Sequence, residues 1–149
     1  MNPPAFTALA APPPLDSADW WFSLRLSNDP QAPGIARTHL RTTLDAYGLD
    51  TIVDTAELLT SEVVTNAHRY TDGPVTVRAQ YVGTRRRLRV STGDVSAVAP
   101  RLACALPADE GGRGLRILDL CALSWGWFPL SDSRDGLAGK VVWYELAAP

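Results

Sequence analysis

The chain has little of what would tie it to a metal, a membrane or a disulfide framework. Only two cysteines, Cys104 and Cys121, occur in 149 residues, and their spacing is not that of a ligand pair. Cys121 falls in an apolar helical pattern, so the expectation is a buried thiol in a reducing compartment rather than a disulfide or zinc site. The histidines, His39 and His68, have neither a cysteine nor a second histidine placed to complete a zinc site. No apolar run approaches the ~20 residues of a membrane span. No basic flank precedes the first apolar residues, and a signal peptide is not expected. Net charge is only −2, which leaves no global basic field for nucleic acid or an anionic membrane. The run Arg85-Arg86-Arg87 is local and reads as the cap of a hairpin. No internal repeat is present.

What remains is an ordinary globular composition, 46% apolar and 20% charged, on a length that suits one domain with a real core. Residues 1–18 are rich in Pro and Ala with almost no charge and read as a disordered tail, which leaves 19–147 as the domain. Trp20 to Leu26 is aromatic and partly alternating, the pattern of a first strand. After Asn28-Asp29-Pro30 a helix is expected to about Tyr47, with Ile35, Ala36, Leu40, Leu44 and Tyr47 inward and Gly48 ending it. A second helix is expected from about Thr51 to Tyr70, and Thr71-Asp72-Gly73-Pro74 then turns the chain. Val75 to Val82 and Leu88 to Thr92 read as a hairpin joined through Gly83-Thr84-Arg85.

Periodicity then disappears from Gly93 to about Gly112, a length that usually marks a functional lid. A helix restarts at Gly114, and Trp125 to Leu130 and Lys140 to Leu146 read as two closing strands. This order implies an α+β fold: a two-layer sandwich of a mixed, largely antiparallel sheet with helices on one face.

The stretch Glu57 to Tyr70 carries the strongest chemical signal. Ile52, Ala56, Leu59, Val63 and Ala67 recur at helical spacing, and Glu62 and Asn66 stack one turn apart beside that stripe. A carboxylate there can orient or deprotonate a nucleophile, and an amide oxygen can bind a hard cation such as Mg²⁺. Two further segments belong with them. Asp94, beside Gly93 after a strand, can accept a hydrogen bond from an exocyclic amine at the sheet edge. Glu110-Gly111-Gly112-Arg113-Gly114 opens a helix with glycines, where backbone N–H groups can approach phosphate and Arg113 can add a charge-assisted contact. Taken singly, each has an ordinary structural explanation: two solvated residues on an amphipathic helix, a turn-forming Asp, a hinge.

In combination the segments resemble the GHKL superfamily of ATP-binding domains, the fold of histidine-kinase catalytic domains. Within it the chain looks most like the single-domain anti-sigma factor and serine-kinase branch of actinobacterial type. The resemblance runs from about Trp20 to Leu146. Ser61-Glu62-Val63-Val64-Thr65-Asn66-Ala67 matches the N box, Asp94 the first glycine box, and Gly112-Arg113-Gly114-Leu115 the second. Trp125-Gly126 and Gly139-Lys140-Val141-Val142-Trp143 are also typical of the branch. By that resemblance Glu62 acts on the attacking hydroxyl, Asn66 binds Mg²⁺, Asp94 reads the adenine amine, and Gly112 to Leu115 flank an ATP lid and touch phosphate.

The implied protein is a cytoplasmic regulator that binds ATP and Mg²⁺. Its implied partners are a sigma factor, an anti-anti-sigma antagonist whose Ser or Thr it phosphorylates, or both. No direct nucleic-acid contact and no membrane enter that picture, and a homodimer is compatible with it.

One departure bears on turnover. The superfamily has Asp-x-Gly-x-Gly at the first box, where this chain reads Asp94-Val95-Ser96-Ala97-Val98, with less backbone freedom to wrap a nucleotide. Weaker or differently gated binding is therefore expected. Two readings compete: an ATP-dependent Ser/Thr protein kinase, and an interaction module that sequesters a transcriptional partner with nucleotide only as a switch or absent. A sensor histidine kinase fits less well, because there is no room for a phospho-accepting helix pair; His68 lies inside the N-box helix.

Overall fold

The computed structural model describes residues 19–69, 71–94, 110–132 and 137–149, and for 110–114, 131–132 and 137–138 the backbone alone. The expected tail, most of the expected lid, Cys104 and Tyr70 lie outside the described residues. Eight elements follow one another: β1 (Trp20–Leu26), α1 (Ala32–Ala46), α2 (Val53–Arg69), β2 (Val75–Val82), β3 (Arg87–Asp94), α3 (Glu110–Cys121), β4 (Ser124–Asp132) and β5 (Leu137–Ala147). The strands form one five-stranded sheet in the order β1-β2-β3-β5-β4.

The mixed sheet expected from the sequence is corrected here, since every pairing among the described residues is antiparallel. The reason lies in the connections. α1 and α2 form a helical hairpin, so the chain runs up β1, down α1, up α2 and down β2. It then runs up β3, down α3, up β4 and down β5. No single-helix crossover joins neighbouring strands, and a parallel pair needs one.

One alternation fixes the faces. Trp20, Leu26, Val75, Val77, Ala79, Leu88, Val90, Val142, Tyr144 and Leu146 are buried, and they pack beneath the helices. The intervening residues form the outer face, so the adjacent Trp20 and Trp21 point in opposite directions. Trp20 is core, stacked with Phe22, Tyr47 and Tyr81, while Trp21 is 41% exposed beneath the Arg78 guanidinium.

Helix α1 begins where the Asp29 carboxylate accepts from the Gln31 N–H, and Pro33 sits in its first turn where no intrahelical donor is needed. Gly48 ends it as expected: its φ of +69° is the left-handed cap, and the Leu49 N–H bonds back to the Leu44 carbonyl at 2.9 Å. Ala32, Ala36, Leu40 and Leu44 are the buried side, whereas Ile35 (49% exposed) faces outward and Tyr47 (52%) only covers the Trp20 ring from the solvent side. The burial repeat is a strict four-residue one, and Ile35 falls a step off that line.

Helix α2 opens as a short 3-10 turn at Asp50–Ile52. Its expected stripe of Ile52, Ala56, Leu59, Val63 and Ala67 is buried throughout. It packs against β2, β3 and β5, between α1 and α3.

Two boundaries and the exposure of one residue differ from expectation. β3 continues to Asp94, so that residue belongs to the middle strand of the sheet and not to an edge. α3 starts at Glu110, four residues before Gly114, which puts the glycines inside its first turns. Cys121 is exposed at the end of α3, because Leu115 and Leu118 carry the burial there and Cys121 falls off that line. No helix among the described residues is long and apolar enough to cross a membrane.

Candidate functional site

The up-and-down course of the chain decides where the sequence-predicted residues meet. β2 starts beside the end of β3, with Thr76 opposite Gly93, and α2 leads into β2 through a short turn. The C-terminal half of α2, with Glu62 and Asn66, therefore lies at the end of the sheet that holds Asp94. α3 finishes beside the other end, where Leu123 donates its N–H to the Glu145 carbonyl. A helix of 12 residues rises about 18 Å, so its first turns, with Gly112, Arg113 and Gly114, return to the Asp94 end. Three segments far apart in sequence thus converge on one end of the sheet, called the upper end below.

Asp94 is the last residue of β3 and points to the inner face, in line with Leu88, Val90 and Thr92. Its cross-strand partner is Lys140 of β5. The lysine is 2% exposed, and its Nζ lies 3.2 Å from Asp94 Oδ2 and 3.4 Å from Oδ1. The carboxylate expected at the sheet edge is buried beside an ammonium. The neighbouring Gly139 has no room for a side chain, because a Cβ there would collide with the Asp94 carbonyl oxygen. Sequence reasoning assigned Lys140 no role. Its signal was its position: Lys140, Val142, Tyr144 and Leu146 alternate onto the core face, and a lysine there requires a partner.

Asn66 is buried, and its Oδ1 has no hydrogen-bond partner. The same holds for Thr92 Oγ1 on β3 and for both ring nitrogens of His68, whose proton affinity burial lowers, against a smaller opposing pull from Asp29. Buried polar atoms without partners are uncommon and call for a cause. An amide oxygen left in this state is the donor type that Mg²⁺ takes, so Asn66 fits a hard cation. Glu62 is half-buried one turn earlier on α2. Leu115 is a core residue, which leaves only its backbone for a ligand. The side chain of Arg113 lies outside the described residues.

A separate groove of about 940 Å³ runs along the solvent side of α1, lined by Pro30, Pro33, Ile35, Arg37, His39 and Thr65 among others. It includes none of the residues just described as converging. A scan against protein-family models gives no match, and a search of the curated proteins finds no relative.

Proposed function

We propose that this protein is an ATP-binding regulator resembling the anti-sigma factors of the GHKL superfamily, and that it transfers a phosphoryl group to a serine or threonine of a protein antagonist. The observation that carries the proposal is the buried, unpartnered amide oxygen of Asn66 at the sheet end where Asp94 and the first turns of α3 also lie. Bound ATP with Mg²⁺ supplies the γ-phosphoryl group and the charge that neutralises it. The chain's own residues position and orient, which is most of what phosphoryl transfer asks of a protein. Asn66 offers its amide oxygen to the cation. Glu62, one turn away, orients the incoming hydroxyl and accepts its proton. Asp94 would accept from the exocyclic amine of the base, and the N–H groups of the first turn of α3 would be available to phosphate oxygens.

The test is direct: titrate the purified full chain with ATP, with and without Mg²⁺, and then look for transfer of radiolabel to a candidate antagonist. Absence of binding at millimolar ATP overturns the proposal. A second reading, an interaction module that sequesters its partner without turning over nucleotide, is favoured by one observation. The Asp94 carboxylate is already buried against Lys140 and is not open to solvent. Binding without transfer to any antagonist supports this reading.

A further inference from the structure

We infer that Lys140 is a positioning residue: its ammonium holds the buried Asp94 carboxyl in the ionised form and turned to accept, so that the upper end of the sheet presents an acceptor and not a donor. The use of that acceptor by the amine of a nucleobase rests on the nucleotide reading above; the hold of Lys140 on Asp94 does not.

Geometry carries the inference. Neither side chain has appreciable access to water. A lone carboxylate in such a place would be neutralised by taking up a proton, since burial disfavours the charged form. An ammonium at hydrogen-bonding distance reverses that preference. Strand register enforces the contact, because Asp94 and Lys140 are directly opposite on adjacent strands and both face the core. Gly139 keeps the backbones close enough for it.

Nζ lies between the two carboxylate oxygens, at 3.2 and 3.4 Å, and does not pair linearly with one of them. A carboxylate has about four acceptor positions, more than a single ammonium uses. The other described charged or titratable side chains on the elements that reach this end are Glu62, His68 and Arg69 of α2 and Arg116 of α3, with Asp29 and Asp72 in the turns that flank α2. β2 and β4 bring no described charged side chain to the inner face here, since Arg78 lies on the outer face beside Trp21.

If Lys140 is replaced by a neutral residue, Asp94 takes up a proton near neutral pH and becomes an O–H donor. A donor meeting an amine donor cannot bond.

The experiment is carbon-detected NMR of the Asp94 carboxyl in the full chain across pH 5 to 8, on wild type, Lys140→Met and Lys140→Arg. In the wild type the carboxyl should remain ionised throughout. In Lys140→Met its resonance should titrate near or above about pH 7, and Lys140→Arg should restore the wild-type behaviour. ATP titration of the same samples should find Lys140→Met weakened at least tenfold at pH 7 and recovering as pH rises through that titration. Asp94→Asn should be weak at every pH.

A Lys140→Met carboxyl that stays ionised at pH 7 overturns the inference. So does a wild-type carboxyl that titrates between pH 6 and 8, a measurement that needs no variant to fold. If the carboxyl follows Lys140 as expected but the wild type takes up no ATP, the nucleotide reading fails and the role of Lys140 stands.

Discussion

At the lower end of the interface between α2 and the sheet, Tyr144 is fully buried and its hydroxyl is bonded twice. It shares a hydrogen bond with Thr60 Oγ1 at 2.7 Å and donates to the Ala56 carbonyl at 3.0 Å. At the upper end, further along the same helix and the same two strands, Asn66 Oδ1 and Thr92 Oγ1 are equally buried and have no partner. Both places desolvate polar groups; Tyr144 and Thr60 are compensated, whereas Asn66 Oδ1 and Thr92 Oγ1 are not. Removing a polar group from water without a new bond costs on the order of 1–3 kcal/mol. Asn66 Oδ1 and Thr92 Oγ1 are therefore a cost to the fold at the end where the proposed ligand would sit.

The largest expected effect tests whether the upper end does chemistry. Glu62→Ala should lower phosphoryl transfer by roughly 10²–10⁴, the usual worth of a positioned general base, and leave ATP affinity within a few-fold. Transfer at the wild-type rate removes Glu62 from the mechanism. Next comes Asn66→Ala, which should reduce Mg²⁺-dependent ATP affinity by about tenfold or more, equivalent to about 1.4 kcal/mol. Affinity and transfer should fall together. Calorimetry with and without Mg²⁺ reads this, and equal losses under the two conditions would detach Asn66 from the cation.

Stability measurements sharpen the comparison itself. Tyr144→Phe strips the bonded hydroxyl from the lower end and should destabilise by about 1–3 kcal/mol. Thr92→Val replaces an unpartnered hydroxyl by a methyl of the same shape and should be neutral or stabilising by up to about 1 kcal/mol. Urea unfolding midpoints compare the two, and a Thr92→Val loss as large as that of Tyr144→Phe would erase the contrast between the ends.

The smallest effect is a pH dependence at His68. Burial lowers its proton affinity in the folded chain, so the unfolded chain binds more protons just below the ordinary histidine range. Stability associated with His68 is therefore full above about pH 6.5 and lost as pH falls through the lowered folded value. His68→Gln should flatten that part of the stability profile; an unchanged slope would show that His68 does not titrate with unfolding.

Much of the fold was legible because it rests on local rules. The α2 stripe, the Gly48 stop and the β2–β3 hairpin each follow from short-range periodicity or from a single glycine's freedom at positive φ. Errors arose where a partner element decides. Cys121 and Tyr47 fit apolar patterns, but the surface each faces is set by which helix or strand arrives there. Of the candidate site, Glu62 and Asn66 could be placed together from their spacing alone, and Asp94 could be singled out as a residue. Its environment could not, because Lys140 is 46 positions away.

By itself the amino-acid sequence determined which segments are helices and strands, the buried stripe of α2, and that this helix carries a carboxylate and an amide a turn apart. Those properties depend on the rise and period of a single element. Only the tertiary structure decided that every strand pairing among the described residues is antiparallel, that three separate segments meet at the upper end of the sheet, and that Asp94 is buried against Lys140. Register between strands and the direction of each traverse are properties of pairs of elements. A cross-strand ion pair exists only once both strands have been laid side by side.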